Sequence, residues 1–320
     1  MTAIEAGNSL QPGALRLGIV GVGKIARDQH LPSIAASPDF TLAVAASRHA
    51  KVEDCPSFDS IEAMLADGPP IDAVSICTPP GGRDRIARTA IAAGKHVMIE
   101  KPPGATVAEV AALVGLAEAA GVTLFASWHS REAAGVDAAR NWLAKRIVTG
   151  AAINWREDIR VWHPGQDWIL ASGGFGVFDP GINALSIVTA ILPGDLMIDS
   201  GTIAVPENRD SPIAASITMR LSNDAPVSLD LDFLQTGPQS WDIDVTTETG
   251  SLKLSEGGKR LFIDGVEQSL EAGPGEYPRL YQLFASLVRS GQSDVDLRPL
   301  QLVADAFLVS RQQRTTPFTF

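Results

Sequence analysis

The feature that most constrains the fold is a regular alternation of short apolar runs with helical segments over residues 15–130. The apolar runs are LRLGIVG (15–21), TLAVAAS (41–47), DAVSICT (72–78), HVMIE (96–100) and VTLFAS (122–127). Their hydrophobicity is nearly continuous, which is typical of strands that are covered by helices on both faces. The pattern predicts βαβ units and an α/β fold with a doubly wound parallel sheet.

A glycine-rich loop follows the first predicted strand. Residues 21–26 read GVGKIA, which has the form G-x-G-x-x-A, and they open a predicted helix. Glycine allows a tight turn there and brings backbone N–H groups close to a pyrophosphate at the helix N-terminus. We therefore expect Gly21, Gly23, Lys24 and Ile25 to bind a dinucleotide. A tight turn without a ligand is the alternative.

The end of the second strand indicates which nicotinamide cofactor is used. NAD is usually held by an Asp or Glu about 20 residues after the loop, which binds the ribose 2′-hydroxyl. This chain has Ser47 and Arg48 there, with Lys51 close behind. A hydroxyl and a guanidinium suit a 2′-phosphate. We expect NADP to be preferred, with NAD also possible; the alternative is that Arg48 is only a solvated surface charge.

The pattern changes in the second half of the chain. IAASITMRLS, PVSLDLDFLQ and SWDIDVTTETG alternate apolar and polar residues, which predicts a large, mostly antiparallel sheet with one wet face. Amphipathic helices are predicted around 277–289 and 299–312. We expect a disordered tail (1–14), an N-terminal Rossmann dinucleotide-binding domain (15–130), and a C-terminal α+β substrate-binding and oligomerisation domain (131–320).

Two of the predicted parallel strands end in residues that suit a ligand site. DAVSICT ends in Thr78, which Pro79 follows, and HVMIE ends in Glu100, which Lys101 follows. In open parallel sheets, ligands bind beyond the carboxyl ends of the strands. We expect both strand ends to line the cofactor crevice.

With these motifs in this order, the chain resembles the Gfo/Idh/MocA family of dinucleotide-dependent sugar and polyol oxidoreductases. The shared features are the glycine loop, the TP turn, the EKP segment that contains Lys101, and the later antiparallel sheet; together they cover nearly all of the chain after residue 14. The resemblance implies that Lys101 is paired with a D-x-x-x-H motif on a helix of the second domain. This chain has Asp179 and Asn183 at those positions, so Asn replaces the usual His.

Oxidation of a hydroxyl by hydride transfer needs a base that takes the O–H proton. Since the imidazole is missing, we expect the proton acceptor to be Lys101, alone or with Asp179, and Asn183 completes the catalytic set. Glu100 is expected near the cofactor ribose. The alternatives are that Lys101 is a solvated loop charge and that Asp179 only caps its helix.

The segment WREDIRVWHPGQDWIL (155–170) suits a sugar site, because indole faces pack on the C–H faces of sugar rings while polar groups bind the hydroxyls. We expect Glu157, Trp162 and His163 to bind substrate, with His129 and Trp241 as further candidates. The tryptophans could equally lie in the core or in a subunit interface, and His163 could be structural. Because these segments suggest no dedicated clamp for a carboxylate or a phosphate, a neutral sugar is expected.

The resemblance also implies an activity. Short members of the family with Asn in the last motif position resemble aldose 1-dehydrogenases for L-arabinose or D-galactose, which oxidise the anomeric carbon to an aldonolactone. Two other functions stay open. One is a dehydrogenase that acts on a ring hydroxyl of an inositol or of a sugar derivative; the other is a regulator that senses NADP without turnover.

Composition excludes several other classes. A formal net charge of −11 and a pI near 4.9 argue against binding to nucleic acid or to an anionic membrane. No metal site is expected, since the five histidines lack ligand spacing and Cys55 and Cys77 form no CxxC motif. The chain has no long apolar run, and residues 1–14 lack the pattern of a signal peptide, so a cytoplasmic location is expected. Family analogy suggests a homodimer or homotetramer.

Overall fold

The computed structural model describes residues 13–320, so the predicted tail lies, except for its last two residues, outside the described residues. Six parallel strands form the first sheet, with the spatial order β3-β2-β1-β4-β5-β6. Their bounds are β1 Leu15–Val20, β2 Phe40–Ala46, β3 Ser57–Phe58, β4 Ala73–Ile76, β5 His96–Glu100 and β6 Leu124–Ser127. The predicted doubly wound sheet is confirmed, and the five predicted strands lie at the expected positions.

Helices connect these strands, as the βαβ pattern requires. Their bounds are α1 Leu31–Ala36, α2 Ile61–Asp67, α3 Arg83–Ala92 and α4 Val107–Ala120. The sequence explains both ends of α4: Thr106 and Glu109 form a capping box, and Gly121 ends the helix with a φ of 65°. A short π-helical turn, Ala26–His30, follows the glycine loop and runs into α1.

The second sheet has nine strands, with the spatial order β14-β13-β12-β11-β7-β10-β9-β8-β15. The bounds are β7 Val148–Arg156, β8 Leu196–Pro206, β9 Ala214–Leu221, β10 Pro226–Asp232, β11 Ser240–Thr247, β12 Gly250–Ser255, β13 Arg260–Ile263, β14 Val266–Glu267 and β15 Arg311–Thr315. Two neighbouring pairs, β7 with β10 and β8 with β15, are parallel; the other pairs are antiparallel. The alternating apolar residues of β9 and β10 are buried, so the prediction of a mostly antiparallel sheet with one covered face is confirmed.

The remaining helices are α5 Val136–Leu143, α6 Ile159–Trp162, α7 Phe178–Ile191, α8 Glu276–Ser290 and α9 Arg298–Val309. The predicted end of the last helix was wrong, because the chain leaves α9 after Val309 and continues as β15, which pairs with β8. Helix α7 lies under the second sheet, and Gly181 allows close contact there: a Cβ at this position would come within 2.6 Å of the Leu231 side chain.

Helix α8 returns from the second half of the chain to the first sheet. Tyr281 and Phe284 belong to the same buried apolar cluster as Phe40, Met98 and Phe125 of the parallel strands. The predicted second domain, 131–320, therefore supplies part of the cover of the first sheet.

Candidate active site

A cavity of about 400 Å³ opens beyond the carboxyl ends of β4 and β5, where the strand pattern predicted a crevice. The glycine loop, the turns after the two strands, the segment after α6 and the start of α7 all contribute to it. It is lined by Gly23, Lys24, Ile25, Asp28, Gln29, Cys77, Thr78, Pro79, Arg83, Glu100, Lys101, Trp162, His163, Gln166, Trp168 and Asp179. Residues that we predicted for cofactor binding, substrate binding and proton transfer therefore line the same cavity.

The glycine loop fits a dinucleotide. Gly21 has a φ of 92°, and a Cβ there would lie 2.8 Å from the backbone nitrogen of Thr78, so only glycine allows the loop to pass this close to the next strand end. Gly23 is exposed, and a Cβ there would meet nothing within 4 Å, which leaves room for a phosphate group. Lys24 forms an ion pair with Asp28 one helical turn on.

The end of β2 lies beside the glycine loop, because the backbone N–H of Gly21 donates to the carbonyl of Ala46 at 2.8 Å. Arg48, two residues further on, is exposed. Arg27 joins this edge, since its Nη2 donates to the carbonyl of Lys51 at 3.4 Å. Ser47 and Arg48, which follow this strand end, are not among the residues that line the cavity.

Lys101 points into the cavity and contacts Asp179. Its Nζ donates to the carbonyl oxygen of Asp179 at 3.0 Å and lies 3.4 Å from the carboxylate Oδ1. The side chains are only 15% and 7% exposed, so the alternative of a solvated loop charge at Lys101 is wrong. The capping alternative for Asp179 is also wrong, because α7 begins one residue earlier, with Val177 as its N-cap and no side-chain cap.

Glu100 is buried behind the lysine, with its carboxylate bound to protein donors. Oε1 accepts from the Tyr277 hydroxyl at 2.9 Å and lies 3.0 Å from Nε2 of His30; Oε2 accepts from the backbone N–H of Lys101 at 3.0 Å. Burial alone would raise the pKa of Glu100, but the hydrogen bond and charge of His30 lower the pKa to about 2. Although Glu100 lines the cavity, three protein donors already occupy the carboxylate that we expected beside the cofactor ribose.

His30 is the buried partner of Glu100. Burial on its own would lower the pKa of His30, yet its neighbours Cys77 and Tyr281, and then the hydrogen bond to Glu100, hold that pKa well above its ordinary value. The Nδ1 of His30 lies 2.8 Å from the hydroxyl of Tyr281. The site therefore rests on a buried, hydrogen-bonded His30–Glu100 pair that joins the glycine-loop segment, β5 and α8.

The substrate side of the cavity is built around Glu157, which is 2% exposed. One carboxylate oxygen lies 2.8 Å from Nε2 of His163, and the other accepts from the indole N–H of Trp241 at 2.8 Å. Trp162 is 40% exposed and packs on Trp241 with ring centroids 4.6 Å apart. Trp162 and His163 line the cavity, whereas Glu157 and Trp241 support them from behind.

Comparison with known proteins agrees with this geometry. A family model described as "Oxidoreductase family, NAD-binding Rossmann fold" (GFO_IDH_MocA) matches residues 15–127. The chain is 45% identical over 309 residues to galactose 1-dehydrogenase of Pseudomonas fluorescens, covering 97% of this chain and 99% of the relative. The chain belongs to the Gfo/Idh/MocA oxidoreductase family.

Two solved structures have the same fold. D-galactose-1-dehydrogenase from Rhizobium etli superposes with a TM-score of 0.91 at 52% identity, covering 96% of this chain and 98% of that chain. A 3-ketoreductase from Actinomadura kijaniata, solved with NADP and TDP-benzene, superposes with a TM-score of 0.82 at 18% identity; it covers 94% of this chain and 99% of its own and shares the fold alone.

Two predicted residues lie away from the cavity of this Gfo/Idh/MocA protein. Asn183 is half-buried one helical turn after Asp179 and is not among the lining residues. The Nδ1 of His129 lies 2.7 Å from the Glu276 carboxylate, and its ring stacks on Tyr277, so it belongs to the contact between β6 and α8. The distance between these elements is set by tertiary packing, which spacing along the chain does not reveal.

Sequence reasoning missed several lining residues, above all Arg83. Its guanidinium is buried, which lowers its pKa from the ordinary value, and it donates to main-chain carbonyls at the ends of β4 and β5. The available signal was an arginine at the start of a helix directly after the TP turn. Gln166 and Trp168 were also missed as lining residues, although they lie in the tryptophan-rich segment.

Some features are absent from the part of the chain that the structure describes. Within residues 13–320, no group of three or more His, Cys, Asp and Glu side chains is arranged to hold a metal ion. These residues also include no helix with the length and apolarity needed to span a membrane.

Proposed function

We propose that this protein oxidises a neutral aldose of the D-galactose or L-arabinose type at C1, giving the aldonolactone, and that the hydride goes to a nicotinamide cofactor, with NADP preferred. The observation that carries the proposal is a single cavity in which Lys101 lies among the glycine loop, Asp179 and the Trp162–His163 pair. The galactose 1-dehydrogenases that resemble the chain along nearly its whole length support the choice of sugar.

When bound, the cofactor supplies the hydride acceptor. Lys101 then takes the proton of the sugar hydroxyl, and its hydrogen bonds to Asp179 keep Nζ directed into the cavity. The Asp179 carboxylate stabilises the ammonium that forms when Lys101 receives the proton. Asn183, on the next turn of α7, is proposed to help orient this pair.

The walls of the cavity suit a sugar without charge. The exposed indole of Trp162 offers a flat apolar face for ring C–H groups. The Glu157 carboxylate favours a proton on Nε2 of His163, and we propose that Nδ1 accepts a hydrogen bond from a sugar hydroxyl. Trp241 keeps Trp162 and Glu157 in place and contacts the substrate only through them.

The proposed binding of the cofactor depends on the glycine loop and on local positive charge. Gly23, Lys24 and Ile25 are proposed to bind the pyrophosphate, with Gly21 shaping the loop, while Thr78 and Pro79 border the nicotinamide end. Ser47 and Arg48, with Arg27 and Lys51 beside them, offer a hydroxyl and positive charge for a 2′-phosphate. Glu100 supports the ribose end through the main chain of Lys101.

One experiment tests the activity. A panel of aldoses, inositols and polyols is offered with NADP or NAD, nucleotide reduction is followed by absorbance, and the products are analysed. We expect D-galactose or L-arabinose to give a lactone that hydrolyses to an acid. A ketone product would indicate ring-hydroxyl oxidation, and cofactor binding without turnover of any panel member would favour a sensor; either result contradicts the proposal.

A catalytic variant tests the role of Lys101. Lys101→Met should lower kcat by about 10²-fold or more, because general base catalysis contributes about 10²–10⁴-fold. The Kd for NADP should stay unchanged in a fluorescence titration. Near-normal turnover of Lys101→Met would show that another group takes the proton.

We also propose a homodimer or homotetramer in the cytoplasm. Exposed Ser216, Thr218 and Ser228 lie on the outward face of β9 and β10, a flat surface that a second subunit could cover. Cys55 and Cys77 are both free thiols, which supports a reducing compartment. Analytical ultracentrifugation of the purified chain measures the oligomeric state; a monomer at micromolar concentration would contradict this part.

A further inference from the structure

Arg83 is a buried cation at the start of α3, with 4% of its surface exposed. Burying a guanidinium is costly unless hydrogen bonds and opposite charge compensate. Here the Nε donates to the carbonyl of Thr78 at 2.6 Å, and Nη1 donates to the carbonyls of Glu100 and Pro102. The charge of Glu100 also favours the guanidinium. Burial still lowers the pKa of Arg83, but its hydrogen bonds to three main-chain carbonyls hold the group at one place in the fold.

Of the three carbonyls that Arg83 binds, two belong to the residues on either side of Lys101, and the third lies in a neighbouring turn. Glu100 and Pro102 are the chain neighbours of Lys101, and Thr78 belongs to the turn after β4, the strand that pairs with β5. One rigid, planar group therefore ties the peptides on both sides of Lys101 to the neighbouring turn. The backbone N–H of Lys101 is held separately, by the Glu100 carboxylate at 3.0 Å.

We propose that Arg83 is a positioning residue for Lys101, which fixes the main chain on both sides of the lysine so that Nζ stays within reach of Asp179 and of the substrate hydroxyl. This inference rests on the proposed function of Lys101 as proton acceptor. Arg83 acts through the main chain and transfers no proton itself. A displacement of about 1 Å at a catalytic group can cost about 10²-fold in rate, so a fixed main chain has kinetic consequences.

Substitution of Arg83 by lysine tests the inference. Arg83→Lys keeps the charge but loses the planar fork, and it should lower kcat about 10–100-fold while the KM for the sugar and the Kd for NADP change less than about threefold. Rates are expressed per cofactor-binding site, so that unfolded protein does not count. Arg88→Lys is the matched control, because Arg88 lies on the same helix, is exposed and pairs with Asp84; its kcat should be unchanged.

A double variant separates positioning from a general structural role. If Arg83 acts through Lys101, Arg83→Lys combined with Lys101→Met should be no slower than Lys101→Met alone. Rate losses that multiply, or an Arg83→Lys variant with normal kcat, would overturn the inference while the role of Lys101 stands. Normal turnover of Lys101→Met alone would overturn the proposed role of Lys101 and this inference with it. Where Arg83→Lys does not fold, Arg83→Gln removes the buried charge, and the same comparison applies.

Discussion

At the scale of single residues, the proposed preference for NADP depends on a short exposed segment. Arg48 lies just beyond the end of β2, beside the glycine loop, and Arg27 and Lys51 add positive charge to the same edge. Because these charged side chains are exposed, a substitution there should act on binding and leave the stability of the protein nearly unchanged.

We predict that Arg48→Ala changes cofactor preference. A hydrogen bond to a charged group contributes about 1.5–3 kcal/mol, so kcat/KM with NADP should fall about 10–100-fold. The kcat/KM with NAD should change little, because NAD has no 2′-phosphate. Arg311→Ala, on exposed β15, is the control. If the NADP-to-NAD ratio of Arg48→Ala stays that of the wild type, Arg48 is a solvated surface charge.

A second residue prediction concerns Glu157, which holds both His163 and Trp241. Glu157→Gln offers one acceptor oxygen in place of two, so His163 loses its fixed tautomer or Trp241 loses its acceptor. The loss of one hydrogen bond of about 1.4 kcal/mol corresponds to about a tenfold rise in the KM for the sugar. The Kd for NADP should be unaffected. Glu248→Gln, in an exposed turn, should leave both constants unchanged; a normal sugar KM in Glu157→Gln would remove His163 from the sugar site.

At the scale of elements, helix α8 makes the clearest contact between parts of the chain that are distant in sequence. Phe284 packs parallel to Phe40 with centroids 5.5 Å apart and to Phe125 with centroids 6.1 Å apart. Since all three rings are buried, the helix closes one face of the parallel sheet. The stability of the cofactor domain therefore depends on residues far away in the sequence.

We predict that Phe284→Ala lowers the free energy of unfolding by about 3–5 kcal/mol, as large-to-small changes of buried aromatic residues do. Leu308→Ala on α9 should change it by less than about 0.5 kcal/mol, because Leu308 is 82% exposed. Urea denaturation followed by circular dichroism measures both values. If Phe284→Ala lowered the free energy of unfolding as little as Leu308→Ala, α8 would contribute little to the stability of the first sheet.

Local sequence patterns predicted the elements well where burial is periodic. Five of the six strands of the first sheet and the alternating strands β9 and β10 follow from hydrophobic spacing, whereas the two-residue strand β3 was not predicted. Lys101 and the glycine loop follow from the strand ends that carry them. Sequence patterns did not predict contacts between residues that are distant in the sequence. Residues 311–312 continue a helical pattern, yet they join β15 because β8 offers an open edge to pair with. Arg83 was missed because its role depends on carbonyls from two separate strand ends.

At the scale of the whole molecule, one buried network connects the segment after the glycine loop, strand β5 and helix α8. His30 follows the glycine loop, Glu100 ends β5, and Tyr277 and Tyr281 come from α8. Because Glu100 also accepts from the backbone N–H of Lys101, the network joins the packing of α8 to the position of the lysine. Breaking a buried ion pair by removal of one partner costs roughly 3–5 kcal/mol, so this network should influence both stability and rate.

The charges of the network make its contribution depend on pH. The pKa of Glu100 is lowered from 4.5 to about 2, so its stabilising effect is present above pH 4.5 and is lost as the pH falls towards about 2. The pKa of His30 is raised above its ordinary 6.5, so its effect is fully present below pH 6.5 and is lost as the pH rises through the raised value. Together they stabilise the fold most between pH 4.5 and 6.5.

We therefore predict that the wild type exceeds Glu100→Gln in free energy of unfolding by roughly 3–5 kcal/mol at about pH 5.5, and by less at about pH 3 and at strongly alkaline pH. Glutamine keeps the size of the side chain and can still accept from Tyr277, so the difference reports on the charge. Glu271→Gln, in an exposed loop, should track the wild type at each pH. Urea denaturation across the pH range measures the differences. A gap that stays constant with pH would mean that neither Glu100 nor His30 changes its pKa on folding, which would contradict a buried ion pair.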